Sequence, residues 1–207
     1  MTRYAVDADD VLASVTAVAA MLEGPASSDD PSGWDGAAGI LEWSCRHTAA
    51  HVADCLIWYG ANLARRSIED VEAPEMAVDA APNVLVDTIR SGGALLAAAV
   101  LASNPDDRGY HPFGIADPSG FAAMGCDEVL VHGADIAAGF GLAFDPPGEV
   151  CDRVVRRLYP WAPTDVDPWA ALLWANGRAP LGDAPPESRW LWHCAPLDEW
   201  DGTIRRY

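Results

Sequence analysis

Apolar side chains recur every three or four residues in four separate runs of this chain, and nowhere does a convincing alternating pattern predict a strand. The first run spans residues 7–23, with Val11, Leu12, Val15, Val18 and Leu22 on one stripe. A loop rich in Pro, Ser, Asp and Gly follows over 24–36. The second run, 38–66, carries Leu41, Cys45, Thr48, Val52, Cys55 and Tyr59 in alternating steps of four and three. Pro74 and Pro82 bracket the next connection. The third run, 83–101, is anchored by Leu85, Ile89, Leu96 and Val100, with Gly92 and Gly93 weakening its middle. After a loop over 104–119, the fourth run covers 120–141. Four long amphipathic helices without strands predict an all-α chain whose residues 1–145 form an antiparallel four-helix bundle.

The remainder reads differently. Short helices are expected over 148–158 and 167–176, separated by Tyr159-Pro160-Trp161-Ala162-Pro163. The tail holds Pro180, Pro185, Pro186 and Pro196 together with Trp190, Trp192 and Trp200. So many indoles are expected to pack rather than face water, which predicts that residues 146–207 form a short Trp/Pro-rich extension folded against the bundle.

Charge removes several functions. The chain has 31 acidic and 13 basic side chains, a formal charge of −18, and every basic residue is Arg. Such a chain repels nucleic acid at long range and offers no polybasic segment to an anionic membrane. Half the residues are apolar, so the acidity is not that of a disordered chain. Without Lys there is neither a P-loop nor a lysine Schiff base, and no Gly-x-Ser-x-Gly elbow occurs. The N-terminus lacks the apolar run of a signal peptide, and the best uninterrupted apolar run, 94–102, is too short to span a membrane. Five cysteines, with no Cys-x-x-Cys pair, read as reduced thiols of a cytoplasmic protein.

The polar residues worth chemistry lie in the fourth helix. Phe121, Met124, Glu128, His132, Asp135 and Gly139 fall in one narrow helical stripe, apolar at its ends and polar in the middle. Its flanks, Val129, Val131 and Ile136, are apolar, so the carboxylate and imidazole are expected to point inward. Inward Glu and His are the material of a metal site in a bundle core. A third ligand could come from His51 on the second helix, with His47 one turn earlier. The pattern alone leaves open a hydrogen-bonded core histidine and a solvated helical Glu–His pair.

The local strings narrow the choice. Trp43-Ser44-Cys45-Arg46-His47-Thr48-Ala49-Ala50-His51-Val52-Ala53, together with Glu128-x-x-x-His132-x-x-Asp135-Ile136-Ala137, resembles the DinB-like metalloprotein superfamily. More narrowly, it is similar to the N-terminal domain of mycothiol-dependent maleylpyruvate isomerases. The segments 120–125, 174–178 and 196–202 also resemble actinobacterial members, and a Lys-free composition fits a GC-rich actinobacterial genome.

The resemblance implies a DinB-like bundle with a divalent metal on His51, Glu128 and His132. Zinc is the first expectation, with nickel, iron or manganese compatible with the same ligands. It further implies a cosubstrate thiol, mycothiol, attacking a small electrophile as a metal-bound thiolate in a transferase or isomerase reaction. Three protein ligands leave room for that thiol. Asp135 would orient His132 or a bound water, or else be a polar helix-face residue or cap; Arg178 could hold an anionic substrate, although a structural Arg near a helix C-terminus is the stronger expectation. His47 is read as a non-ligand, His111 and His193 are assigned no chemistry, and Asp54 stands to His51 as Asp135 does to His132, with a weaker case. The isomerases carry a sizeable further domain that supplies a catalytic Arg, whereas only about 30 residues follow Arg178. A non-catalytic bundle that binds metal or a small ligand is the alternative. A homodimer through exposed bundle faces is compatible with the pattern.

Overall fold

Side-chain caps decide where most of the helices begin. The structure, a computed structural model, describes residues 5–72, 75–189 and 191–206; Pro74 and Trp190 lie outside them. Helix α1, Ala8–Ala26, opens with Asp7 accepting from the backbone of Asp9 and Asp10, while Asp10 accepts in return from the Asp7 backbone. Ser44 caps α2, Cys45–Arg65. Pro82 occupies the first turn of α3, Pro82–Leu101. Asp117 caps α4, Pro118–Phe140, and Asp167 caps α6, Pro168–Ala175; α5 runs Gly148–Leu158 between them. Among the described residues there is no strand, and the only pairings are isolated bridges such as Ala37 with Ser44. The chain is all-α.

α1 and α2 each pack on α3 and α4, and sit across the bundle from one another. Leu22, Leu56, Leu63, Leu85, Ile89, Leu96, Met124, Leu130 and Ile136 are fully buried between them. Gly92 and Gly93 are contact points as well as weak helix formers: a Cβ on Gly93 would lie 2.6 Å from Val15. By length and composition α3 could cross a membrane, which the run-length reading missed because Asp87, Arg90 and Ser91 interrupt it. Here its inner face is packed on α1 and α2.

α5 packs on α4 and on α6. The tail is tied to this layer by Arg157, which is buried, pairs with Asp117 and donates to the carbonyls of His193 and Cys194, both at 3.0 Å. Trp192 is buried and donates to the Tyr159 hydroxyl at 2.7 Å.

Two boundaries differ from the sequence reading. α1 continues through Gly24 and Pro25 to Ala26. α2 begins at Cys45 rather than near residue 38, because residues 37–44 form a bridged loop: Ala38 N donates to Trp43 O and Cys45 N to Gly36 O, both at 2.9 Å. Leu41 therefore belongs to this loop, not to the helical stripe. The loop lies flat on the end of α4. Gly39 turns there with φ +56°, and a Cβ on Gly139 would stand 2.6 Å from the Ala37 carbonyl and 2.5 Å from Cys45 Sγ. That close approach carries Trp43 over the histidines of α2 and α4.

Replacing Gly139 by Ala should lower stability by about 1–3 kcal/mol, even though Ala favours helix by about 1 kcal/mol. Gly24→Ala, with nothing within 4 Å of its Cβ, should be neutral or stabilising. Urea unfolding midpoints measure both; equal effects of the two changes would contradict the close packing of loop and helix.

Candidate metal centre

α4 presents Glu128 and His132 one turn apart, and α2 brings His51 to the same carboxylate. Glu128 Oε2 lies 3.3 Å from His132 Nε2 and 3.5 Å from His51 Nε2. The Tyr59 hydroxyl donates to the other oxygen, Oε1, at 3.2 Å. The His51 and His132 rings meet edge to face, centroids 5.2 Å apart. Trp43 stacks on exposed His47 at 4.6 Å and meets His51 edge-on at 5.0 Å. His47 serves this aromatic lid.

Behind His132 stands a second carboxylate. Its Nδ1–H donates to Asp135 Oδ2 at 3.0 Å, and Arg178 grips Asp135 through Nη2 at 2.7 Å and Nε at 3.2 Å. Arg178 also donates to the Asn176 carbonyl at 2.8 Å, so the turn after α6 aims it. This chain fixes the His132 tautomer and leaves Nε2 facing Glu128. Asp54 makes no equivalent bond to His51; it accepts from the backbone of Met76 instead.

The separations around Glu128 can be set beside those of a ligand set and those of a hydrogen-bonded cluster. Charge-assisted N–H···O bonds are about 2.7–2.9 Å long. Nitrogen and oxygen ligands about 2.0–2.2 Å from a tetrahedral ion stand about 3.3–3.5 Å apart. His51 and His132 sit at the second spacing, whereas His132 and Asp135 sit near the first. Imidazole nitrogen and carboxylate oxygen are donors that suit a divalent cation, and each histidine stands at ligand spacing from Glu128. Among the described residues, the side chains whose ligand atoms all lie within 4.8 Å of one another are His51, Cys55 and Glu128; His132 is outside that group and reaches it through the Glu128 carboxylate, so the structure gathers Cys55, and not His132, with the other two expected ligands.

Sequence reasoning missed several groups here. Asp127, next to Glu128, is buried and accepts from Asn176 Nδ2 at 2.9 Å and from the Tyr159 hydroxyl at 3.2 Å. Burial pushes its carboxyl up to about 7, against those hydrogen bonds. A cavity of about 230 Å³ opens beside it, lined by Phe113, Glu128, His132, Arg178 and Trp192 among others. His111, assigned no chemistry, is buried against Trp58, Tyr59, Phe113 and Trp192, and burial lowers it to about 4, so it stays neutral. His193 bonds the Pro196 carbonyl. Cys55, read as a stripe residue of α2, stands at the site itself. The signal for Cys55 was its spacing, one turn beyond His51.

Without a cation the cluster holds a proton. Burial disfavours the imidazolium of His132, but its bonds to Asp135 and Glu128 outweigh this and raise it to about 9. Burial likewise opposes the Glu128 carboxylate, and the two histidines hold it well below the usual carboxylate range. In the unfolded chain His132 loses its proton near 6.5; in the folded chain it keeps it to about 9. Between these values the folded state binds the extra proton, so stability falls as pH rises. Asp127 acts with the same sign at lower pH, between 3.8 and about 7. Metal-free protein should lose about 1–3 kcal/mol of stability from pH 6.5 to 9, and His132→Gln should flatten that slope. Urea titrations across this range check it; an unchanged slope in the variant would remove His132 as the cause.

The family model of the mycothiol maleylpyruvate isomerase N-terminal domain matches residues 9–137, a span that includes His51, Glu128, His132 and Asp135. No curated protein and no solved structure matches the chain. With well over half of its residues covered by that model, the chain belongs to the mycothiol maleylpyruvate isomerase N-terminal domain family.

Proposed function

We propose that this protein is a divalent-metal-dependent thiol transferase or isomerase that uses mycothiol on a small electrophilic substrate. The observation that carries the reading is the Glu128 carboxylate set between two imidazoles at ligand spacing, beside a cavity that also holds Arg178. His51, Glu128 and His132 would hold the ion, with zinc as the first expectation. When bound, such an ion supplies Lewis acidity, lowering the pKa of a thiol or water that reaches it.

The protein's own residues do the rest. Asp135 accepts the Nδ1–H hydrogen bond of His132 and so leaves Nε2 to face Glu128. Tyr59 holds one Glu128 oxygen, so the carboxylate cannot swing away. Arg178 holds Asp135 and lines the cavity, where it would anchor an anionic electrophile. Phe113 and Trp192 give that cavity an apolar wall that excludes water. Neither nucleic acid nor a membrane surface is expected as a partner at a charge of −18. The five unpaired thiols suit the cytoplasm.

Chelator-treated protein given zinc should bind about one ion per chain, with His51→Ala and Glu128→Gln abolishing binding and Asp135→Asn weakening it about 10- to 100-fold. Metal analysis after dialysis, with circular dichroism to show that the helices persist, measures this. Wild-type protein that takes up no zinc or nickel would refute the metal reading. In thiol-consumption assays with mycothiol and a panel of electrophiles, Arg178→Ala should raise KM for anionic substrates about 10- to 100-fold. Turnover of no electrophile with any thiol would refute the enzyme and leave a metal-binding bundle.

A further inference from the structure

Cys55 differs from the other four cysteines. Cys45, Cys126, Cys151 and Cys194 are buried in packing positions, and Cys194 Sγ is engaged with the Gly114 carbonyl at 3.3 Å. Cys55 is half-buried, one turn beyond His51 on α2, with Sγ 3.5 Å from His51 Nε2 and 3.9 Å from Nδ1. Its sulfur, His51 and a Glu128 oxygen lie mutually within 4.8 Å. Thiolate sulfur sits about 2.3 Å from a tetrahedral ion and imidazole nitrogen about 2.0–2.1 Å, which puts the two donors about 3.5–3.6 Å apart. The Cys55–His51 separation, also within S–H···N hydrogen-bond reach, matches that edge.

We propose that Cys55 is a protein ligand of the metal together with His51 and Glu128, with His132 completing the set from the other side of the same carboxylate; a cosubstrate thiolate would then reach the ion as a fifth ligand or by displacing Cys55. The inference rests on the metal reading above and adds a donor that the family resemblance does not supply. Coordination would release the thiol proton to solvent. A thiolate among nitrogen and oxygen donors favours zinc over the harder manganese, so this residue would narrow a choice the histidines and carboxylate leave open.

The surroundings agree with the assignment. Cys55 and His51 line a second cavity, about 510 Å³, whose walls include Asp54, Asp70, Glu72 and Glu75. These acidic walls raise the local concentration of cations on the Cys55 side. The cavity holding Arg178 opens on the His132 side.

Cobalt(II) added to chelator-treated, full-length protein tests the proposal. Wild type should show a thiolate-to-cobalt charge-transfer band in the near ultraviolet. Cys55→Ser should lose that band, whether it keeps the visible bands of bound cobalt or, while folded, binds none. Its zinc affinity should fall at least about tenfold, the loss that a merely supporting group already causes. Bound cobalt without the band, or a band that survives in Cys55→Ser, overturns Cys55 as a ligand and leaves the metal centre standing. No cobalt bound to wild type sinks the metal centre and this proposal together. Should Cys55→Ser fail to fold, alkylation of wild type by iodoacetamide decides: zinc should protect Cys55 from labelling, and equal labelling with and without zinc overturns the assignment.

Discussion

A half-buried carboxylate in the middle of a helical bundle dominates the design of this protein. Glu128 is largely removed from water, and an uncompensated charge there would cost several kcal/mol. Every neighbour addresses that charge. His51 and His132 face one oxygen, Tyr59 donates to the other, and Asp135 with Arg178 supports His132 from behind. The α4 backbone, the bridged loop that carries Trp43, and the turn after α6 that aims Arg178 all converge on this residue.

The charge balance of that cluster connects structure to chemistry. Glu128, Asp135, Arg178 and a protonated His132 sum to neutrality, which is why His132 keeps its proton well above the ordinary imidazole range. On the proposed metal reading, a divalent cation would displace that proton and leave these four groups and the ion one negative charge short. A thiolate, from Cys55 or from an added cosubstrate, would meet the deficit. A site so balanced would favour a thiol that binds as its anion over a neutral ligand.

Much of this was legible in the residues alone. The stripe from Phe121 to Gly139 is a local property of one helix, so its inward Glu128, His132 and Asp135 could be read from spacing. His51 followed from the second helix and from the resemblance of its flanking string. Other parts depend on contacts between distant segments. Asp127 points away from the Glu128 stripe and looks like a surface residue until α5 and α6 cover it with Tyr159 and Asn176. Leu41 fits the periodicity of α2 but lies in a loop, because the pairing of Ala37 with Ser44 overrides the helical pattern; the Ser44 cap was the local sign of the true start. Cys55 was hidden by its own plausibility, since a small thiol on an apolar stripe satisfies core packing as well as coordination.

The most direct test is crystallographic. Anomalous diffraction from zinc-loaded crystals, recorded on both sides of the zinc edge, should place one strong peak about 2.0–2.2 Å from His51 Nε2, His132 Nε2 and a Glu128 oxygen. A peak elsewhere in the molecule, or none on Glu128, would contradict the account.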